Sequence, residues 1–187
     1  MPVLKDNNNS NYRHFKIAQN SEGIWMQKFD RVVTLTEEDK QYCLNQWKYL
    51  PPIDVIPPQV SVSKIQVEKN PFEICFVGSF NREPNIQAVD ILIKDVFPKV
   101  KNEIPNVILK IAGNFLSKHR IEQINKNPSI SYFGFVEDID SFIGKSILFV
   151  APILMGSGLK MKNTNALACA TAVLTTPVGA EGIPLNS

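Results

Sequence analysis

The stretch Gly156–Val173, GSGLKMKNTNALACATAV, follows the apolar run SILFVAP and opens on a glycine pair. Two lysines, Lys160 and Lys162, come next, and then a helix-forming segment. A strand that ends in glycines and feeds a helix is a ready anion site. Backbone N–H groups stay exposed, the helix start carries partial positive charge, and lysines add full charges. The same residues also read as a glycine turn with two solvated lysines. The loop lacks the third glycine of a dinucleotide fingerprint, and the chain has no G-x-x-x-x-G-K-[ST]. Neither NAD binding nor a P-loop is supported.

Outward from this stretch, strands and helices alternate. FEICFVG, NVILKIAG, ISYFGFV, SILFVAP and AVLTTP are short apolar runs, three of them interrupted or closed by a glycine. Between them lie helical segments. PNIQAVDILIKDVFPKV has apolar Ile86, Val89, Ile93 and Phe97 at helical spacing and Pro84 at its start. LSKHRIEQINK has Ser117 as its cap, and DIDSFIGK is short. Nearly continuous apolar strands alternating with helices predict an α/β fold, a Rossmann-like parallel sheet with helices on both faces. Such sheets bind ligands at the carboxyl ends of their strands. Four glycine-bearing loops fall there: GSFNREPN, IAGNF, YFGFVED and APILMGSGLK.

Before this domain the pattern differs. KDNNNSNYR reads as a loop or frayed end. FDRVVTLT is a strand, Thr36 with Asp39 caps the helix EEDKQYCLNQW, and PPIDVIPP holds a short strand. QVSVSKIQVEKNP has no helical period and reads as a linker. The predicted organisation is therefore residues 1–58, a linker at 59–70, and the regular domain at 71–187.

The 187 residues are 44% hydrophobic and 20% charged, with net charge +2. This is ordinary globular composition, without the basic footprint of a nucleic-acid binder. Cys43, Cys75 and Cys169 have no metal spacing and read as reduced, buried thiols. No His, Cys or carboxylate cluster stands at ligand spacing. His14 and His119 lie in polar surroundings as surface residues, and Glu137 and Asp138 precede a helix as caps. In GSFNREPN, Gly78 and Ser79 offer backbone groups. Arg82 reads either as a bidentate phosphate ligand or as a surface arginine. The start MPVLKDNNNSNYRHF lacks a signal-peptide core, and ILFVAPILM is shorter than the about 20 residues of a membrane span. The expected location is cytoplasmic, with a peripheral contact on the inner membrane face compatible with it.

The order of FVGSFNREPNIQAVDILIKDVFPKV, NVILKIAG, ISYFGFVEDIDSFI, LFVAPILMGSGLKMKNTNALA and TTPVGAEGI resembles the nucleotide-sugar-binding half of retaining family-4 (group 1) glycosyltransferases of the GT-B type. FDRVVTLTEEDK resembles the end of that family's N-terminal domain. The resemblance implies sugar transfer from a nucleotide-sugar donor to a glycan, lipid-linked or other acceptor, with retention and without a required metal or cofactor. It implies Lys160 and Lys162 as the catalytic cations that neutralise diphosphate, and backbone donors at Gly156, Ser157 and Gly158. Gly78, Ser79 and Arg82 would lie beside the diphosphate, with Phe135 and Val136 near the base.

Two departures follow from the same resemblance. Relatives often carry two glutamates eight positions apart where this chain has Ser157 and Asn165. Asn165 accepts hydrogen bonds only neutrally, which is expected to weaken ribose binding by about 1–2 kcal/mol. Ala170 and Ala172 replace a glycine and a proline at the turn into the next strand. The resemblance also implies that most of an N-terminal domain and the closing helices are not encoded here. The expectation is an incomplete, weakly active form whose acceptor site lies in a missing N-terminal domain. The alternatives are a degenerate, non-catalytic nucleotide-sugar-binding or protein-interaction module, and a GT-B-like sugar-nucleotide epimerase, against which the GSG and VGAEGI contexts argue.

Overall fold

The structure, a computed structural model, describes residues 10–60 and 67–183. The chain divides into two compact units between Gln59 and Val60.

In the first unit, α1 (Ser10–Met26) precedes β1 (Val32–Thr34), α2 (Glu37–Gln46) and β2 (Ile53–Val55). The strands pair in parallel, Val32 opposite Ile53 and Thr34 opposite Val55. The expected cap is present, since Thr36 Oγ1 accepts from the Asp39 amide at 3.0 Å. The asparagine-rich start corrects one expectation. Ser10–Arg13 of the presumed loop is helical, while its Lys5–Asn9 part lies outside the described residues. An apolar stripe would have marked this helix, but α1 has none. It buries Gln19 and Gly23 instead, while Ile17, Ile24 and Trp25 are exposed. Gln19 Nε2 donates to Gln46 Oε1 at 2.8 Å and to Tyr42 Oη at 3.1 Å. Gly23 lies so close to Trp47 that a Cβ there would stand 2.2 Å from the indole nitrogen.

The second unit carries β3 (Asn70–Val77), β4 (Ile108–Ala112), β5 (Ile130–Tyr132), β6 (Ser146–Ala151) and β7 (Ala172–Thr175). All pairings are parallel, in the order β5-β4-β3-β6-β7. Helices α3 (Glu83–Ile91), α4 (Phe97–Glu103), α5 (Lys118–Asn125), α6 (Ile139–Gly144), α7 (Met161–Ala168) and the short α8 (Pro177–Ala180) alternate with the strands. This is the predicted Rossmann-like α/β fold. Phe76, Leu92, Phe97, Leu109, Ile111 and Phe149 are fully buried at its centre. Lys69, at the end of the predicted linker, is anchored, because its ammonium donates to Gly144 O at 2.8 Å and Thr171 Oγ1 at 2.9 Å. Residues 61–66 of that linker lie outside the description.

Helix α3 runs into α4 through a π turn at Leu92–Val96. Pro98 lacks an N–H and its ring would crowd the carbonyl four residues back, so a widened turn just before it relieves the clash. The buried stripe is Asn85, Ala88, Val89, Leu92 and Phe97. Ile86 and Ile93, placed on the core face by spacing, are only half-buried. The sheet's strand order reverses between β3 and β6, so a crevice opens beyond their carboxyl ends.

Candidate active site

A cavity of about 520 Å³ occupies this crevice. Its lining includes Gly78, Ser79 and Arg82 after β3, Gly113 and Asn114 after β4, Phe135 and Val136 after β5, and Lys162 from α7. Six sequence-predicted residues (Gly78, Ser79, Arg82, Phe135, Val136 and Lys162) thus meet in one cleft. The loops can approach because Gly113 has φ +136°, and a Cβ there would fall 1.7 Å from Gly78 O. No other residue type fits this position.

Lys162 is the electrostatic centre of the cleft. Its ammonium stands 4.9 Å from the centroid of the Phe76 ring. It donates to Asn85 Oδ1. Burial, and then the nearby Arg82 and Lys160 cations, lower its pKa to about 8. Among the described residues no carboxylate lies within ion-pairing distance of it. A partly desolvated cation near two further cations is costly without an anion, which makes the cleft a candidate anion site. Arg82 caps α3 without a side-chain bond of its own to that helix and is exposed at the cleft.

The other predicted residues lie beside the cavity. Gly156 and Ser157 form an exposed turn, with φ +102° at Gly156 and +74° at Gly158. Lys160, the cap residue of α7, is turned back. Its ammonium donates to Gly158 O at 2.6 Å and pairs with Glu181 at 3.4 Å. Asn165 is half-buried on α7, one turn beyond Lys162, and is not among the lining residues. Ala170 takes φ +53°. The Thr171 amide reaches Ala166 O at 3.0 Å and the Ala170 amide reaches Leu167 O at 2.9 Å, the paired closure in which glycine is favoured.

Asn85 and Asn163 escaped the sequence reading. Asn85 is buried, and its Nδ2 donates to Ser79 O at 2.8 Å. Its signal was available, since a polar residue stood three, four and seven positions before Ala88, Val89 and Leu92 on the buried face. Asn163, fully buried, donates to Gly179 O at 2.7 Å and ties α7 to the segment carrying Glu181. The three cysteines are buried and free, and burial pushes the Cys75 and Cys169 thiols up to about 11, away from thiolate chemistry. Asp138 accepts from the Ser141 amide at 3.0 Å, as a cap.

A parallel sheet with a cationic cleft at its switch point is an arrangement suited to an anionic ligand. Residues 71–185 match the family model described as "Glycosyl transferases group 1". The chain therefore belongs to the group 1 glycosyltransferases. A curated relative, an uncharacterised 44.6 kDa protein in the cps region of Klebsiella pneumoniae, is 30% identical over 122 residues, covering 60% of this chain and 31% of the relative. The chain thus spans about a third of the length of that relative. Among solved structures, TarM matches with TM-score 0.74 at 17% identity, over 98% of this chain and 36% of TarM. Anabaena Alr3699/HepE, in complex with UDP and glucose, matches with TM-score 0.70 at 14% identity, over 94% and 53%. The pneumococcal O-GlcNAc transferase GtfA, in complex with UDP and GlcNAc, matches with TM-score 0.68 at 16% identity, over 90% and 33%. These are likenesses of fold. Among the described residues no helix is long and apolar enough to cross a membrane.

Proposed function

We propose that the second unit is the donor-binding domain of a retaining glycosyltransferase that uses a nucleoside-diphosphate sugar. The observation that carries the reading is Lys162, a half-buried cation without a carboxylate partner among the described residues, beside Arg82 in the switch-point cleft. In this reading the diphosphate lies between the Gly78–Ser79 loop and Lys162, and the nucleoside extends toward Phe135 and Val136. The anomeric carbon–oxygen bond to the diphosphate breaks, and a bond from an acceptor hydroxyl forms. The hydroxyl proton leaves with the nucleoside diphosphate. Lys162, Arg82 and the start of α7 stabilise the charge that develops on the leaving group, so no step calls on a metal. Lys160, held at Glu181, supports the field from the rim. UDP in the complexes of GtfA and HepE supports a uridine nucleotide, and the cps-region relative supports a polysaccharide or lipid-linked glycan as acceptor.

Calorimetric titration with UDP, GDP and their sugars tests the reading. Saturable binding lost in Lys162→Met is expected, and no binding of any nucleotide would overturn it. One observation favours a second reading, a domain that binds without transferring: the α7 position where relatives often carry a ribose-binding glutamate is the neutral Asn165. Sugar transfer from a radiolabelled donor by the chain would exclude that second reading.

A further inference from the structure

We propose that Asn85 is the positioning residue for Lys162, a neutral acceptor that holds the ammonium at the diphosphate site while leaving its whole charge available to the ligand. The inference rests on the nucleotide-sugar reading of the cleft.

Its geometry is self-consistent. A lysine ammonium only donates and a backbone carbonyl only accepts. Asn85 lies between one of each, so its amide can face only one way. Nδ2 donates to Ser79 O at 2.8 Å, and Oδ1 accepts from Lys162. Asn85 is buried on the first turns of α3, and an added Cβ at Gly78 would stand 3.0 Å from its Cγ. One side chain thus links the loop after β3 to the helix after β6 across the sheet's reversal. Lys162 meets the Phe76 ring from β3, and the Arg82 cation from the α3 cap and the Lys160 cation from its own helix start, itself paired with Glu181, act on its charge.

The residue type decides the chemistry. An aspartate at position 85 would also hold the ammonium, but as an ion pair. It would cancel the field meant for the diphosphate and stand as a rival anion in the cleft. An alanine would leave the ammonium desolvated with no acceptor, which drives it toward the neutral form. Asparagine avoids both outcomes.

The test compares wild type, Asn85→Ala and Asn85→Asp by carbon-13 NMR titration of the lysine side chains, with Lys162→Met identifying the Lys162 resonance. UDP affinity is measured on the same proteins. Lys162 is expected to titrate at lower pH in Asn85→Ala and at higher pH in Asn85→Asp. UDP affinity is expected to fall by about tenfold or more in both, even though the aspartate variant has the more fully charged lysine. A purely structural role would lower stability and leave the titration of Lys162 where it is. Identical titration in all three proteins overturns the proposal, as does unaltered UDP affinity in both variants. Wild type that binds neither UDP nor GDP overturns the donor-site reading, and the titration still decides the role of Asn85.

Discussion

Lys162 is expected to destabilise the fold that it serves. Burial and neighbouring cations lower its pKa from 10.5 to about 8. A displacement of that size corresponds to about 3 kcal/mol of differential stability. The sign follows from proton counting. Between pH 8 and 10.5 the unfolded chain binds more protons at this lysine than the folded one, so stability rises with pH through that window. The penalty is fully present below pH 8. Lys162→Met removes it, keeps the stem over Phe76, and leaves Asn85 Oδ1 without its donor at a cost of about 1 kcal/mol. The ligand-free variant is therefore expected to be more stable than wild type by about 2 kcal/mol at pH 7 and by close to nothing at pH 9.5. The assay must report the second unit. Both tryptophans, Trp25 and Trp47, lie in the first, so intrinsic fluorescence follows the wrong one. Amide hydrogen exchange of β3 and β6 in urea reads the right one. A variant less stable than wild type at pH 7, or one with the same difference at both pH values, would show that the Lys162 charge carries no such penalty.

Wild-type affinity for UDP is expected to be flat below pH 8 and to fall by up to about tenfold per pH unit above it, as Lys162 loses its proton, when followed by calorimetry. Lys160→Met, whose side chain is turned to Glu181, is expected to lose less than about fivefold in UDP affinity, where Lys162→Met loses about 100-fold. Ala170→Gly relieves a left-handed alanine that costs about 1–2 kcal/mol. After the entropy that glycine regains in the unfolded chain, the gain is about 0.5–1 kcal/mol, read as a shift in urea midpoint. Gly113→Ala places a Cβ against Gly78 O and is expected to cost about 3 kcal/mol, with UDP affinity falling as the loop moves.

The sheet was legible because its central strands, covered on both faces, read as short and nearly continuous apolar runs separated by helical segments. The cleft was legible because strand ends and glycines coincide: Gly78 and Arg82 after β3, Phe135 after β5 and Lys162 after β6 stand beyond three such ends and converge. Two kinds of feature were not legible. Helix α1 is held by Gln19 and by Gly23 against Trp47, contacts that leave no apolar period to read. The division of labour between Lys160 and Lys162 also could not be read from two lysines two residues apart. On α7 that spacing points the side chains in different directions, one to Glu181 and one into the cleft.

That division sharpens what the glycine-lysine stretch does. Taken alone, GSGLK offers backbone donors and a lysine already turned to Glu181. In the proposed donor site the selective element lies two residues on, where the chain accepts a cation in a place that disfavours its charge and supplies an amide oxygen to hold it. A surface lysine attracts every anion weakly and is screened by salt. A half-desolvated one, held at fixed distance from the Gly78–Ser79 loop, interacts strongly only with an anion that fits between loop and helix. Discrimination between a nucleoside diphosphate and a smaller anion should therefore follow Asn85 and Lys162 and be insensitive to Ser157. Competition of sulfate against UDP in the Ser157→Ala and Asn85→Ala variants measures this. Sulfate is expected to compete better only when Asn85 is gone, and an equal effect in both variants would return selectivity to the turn.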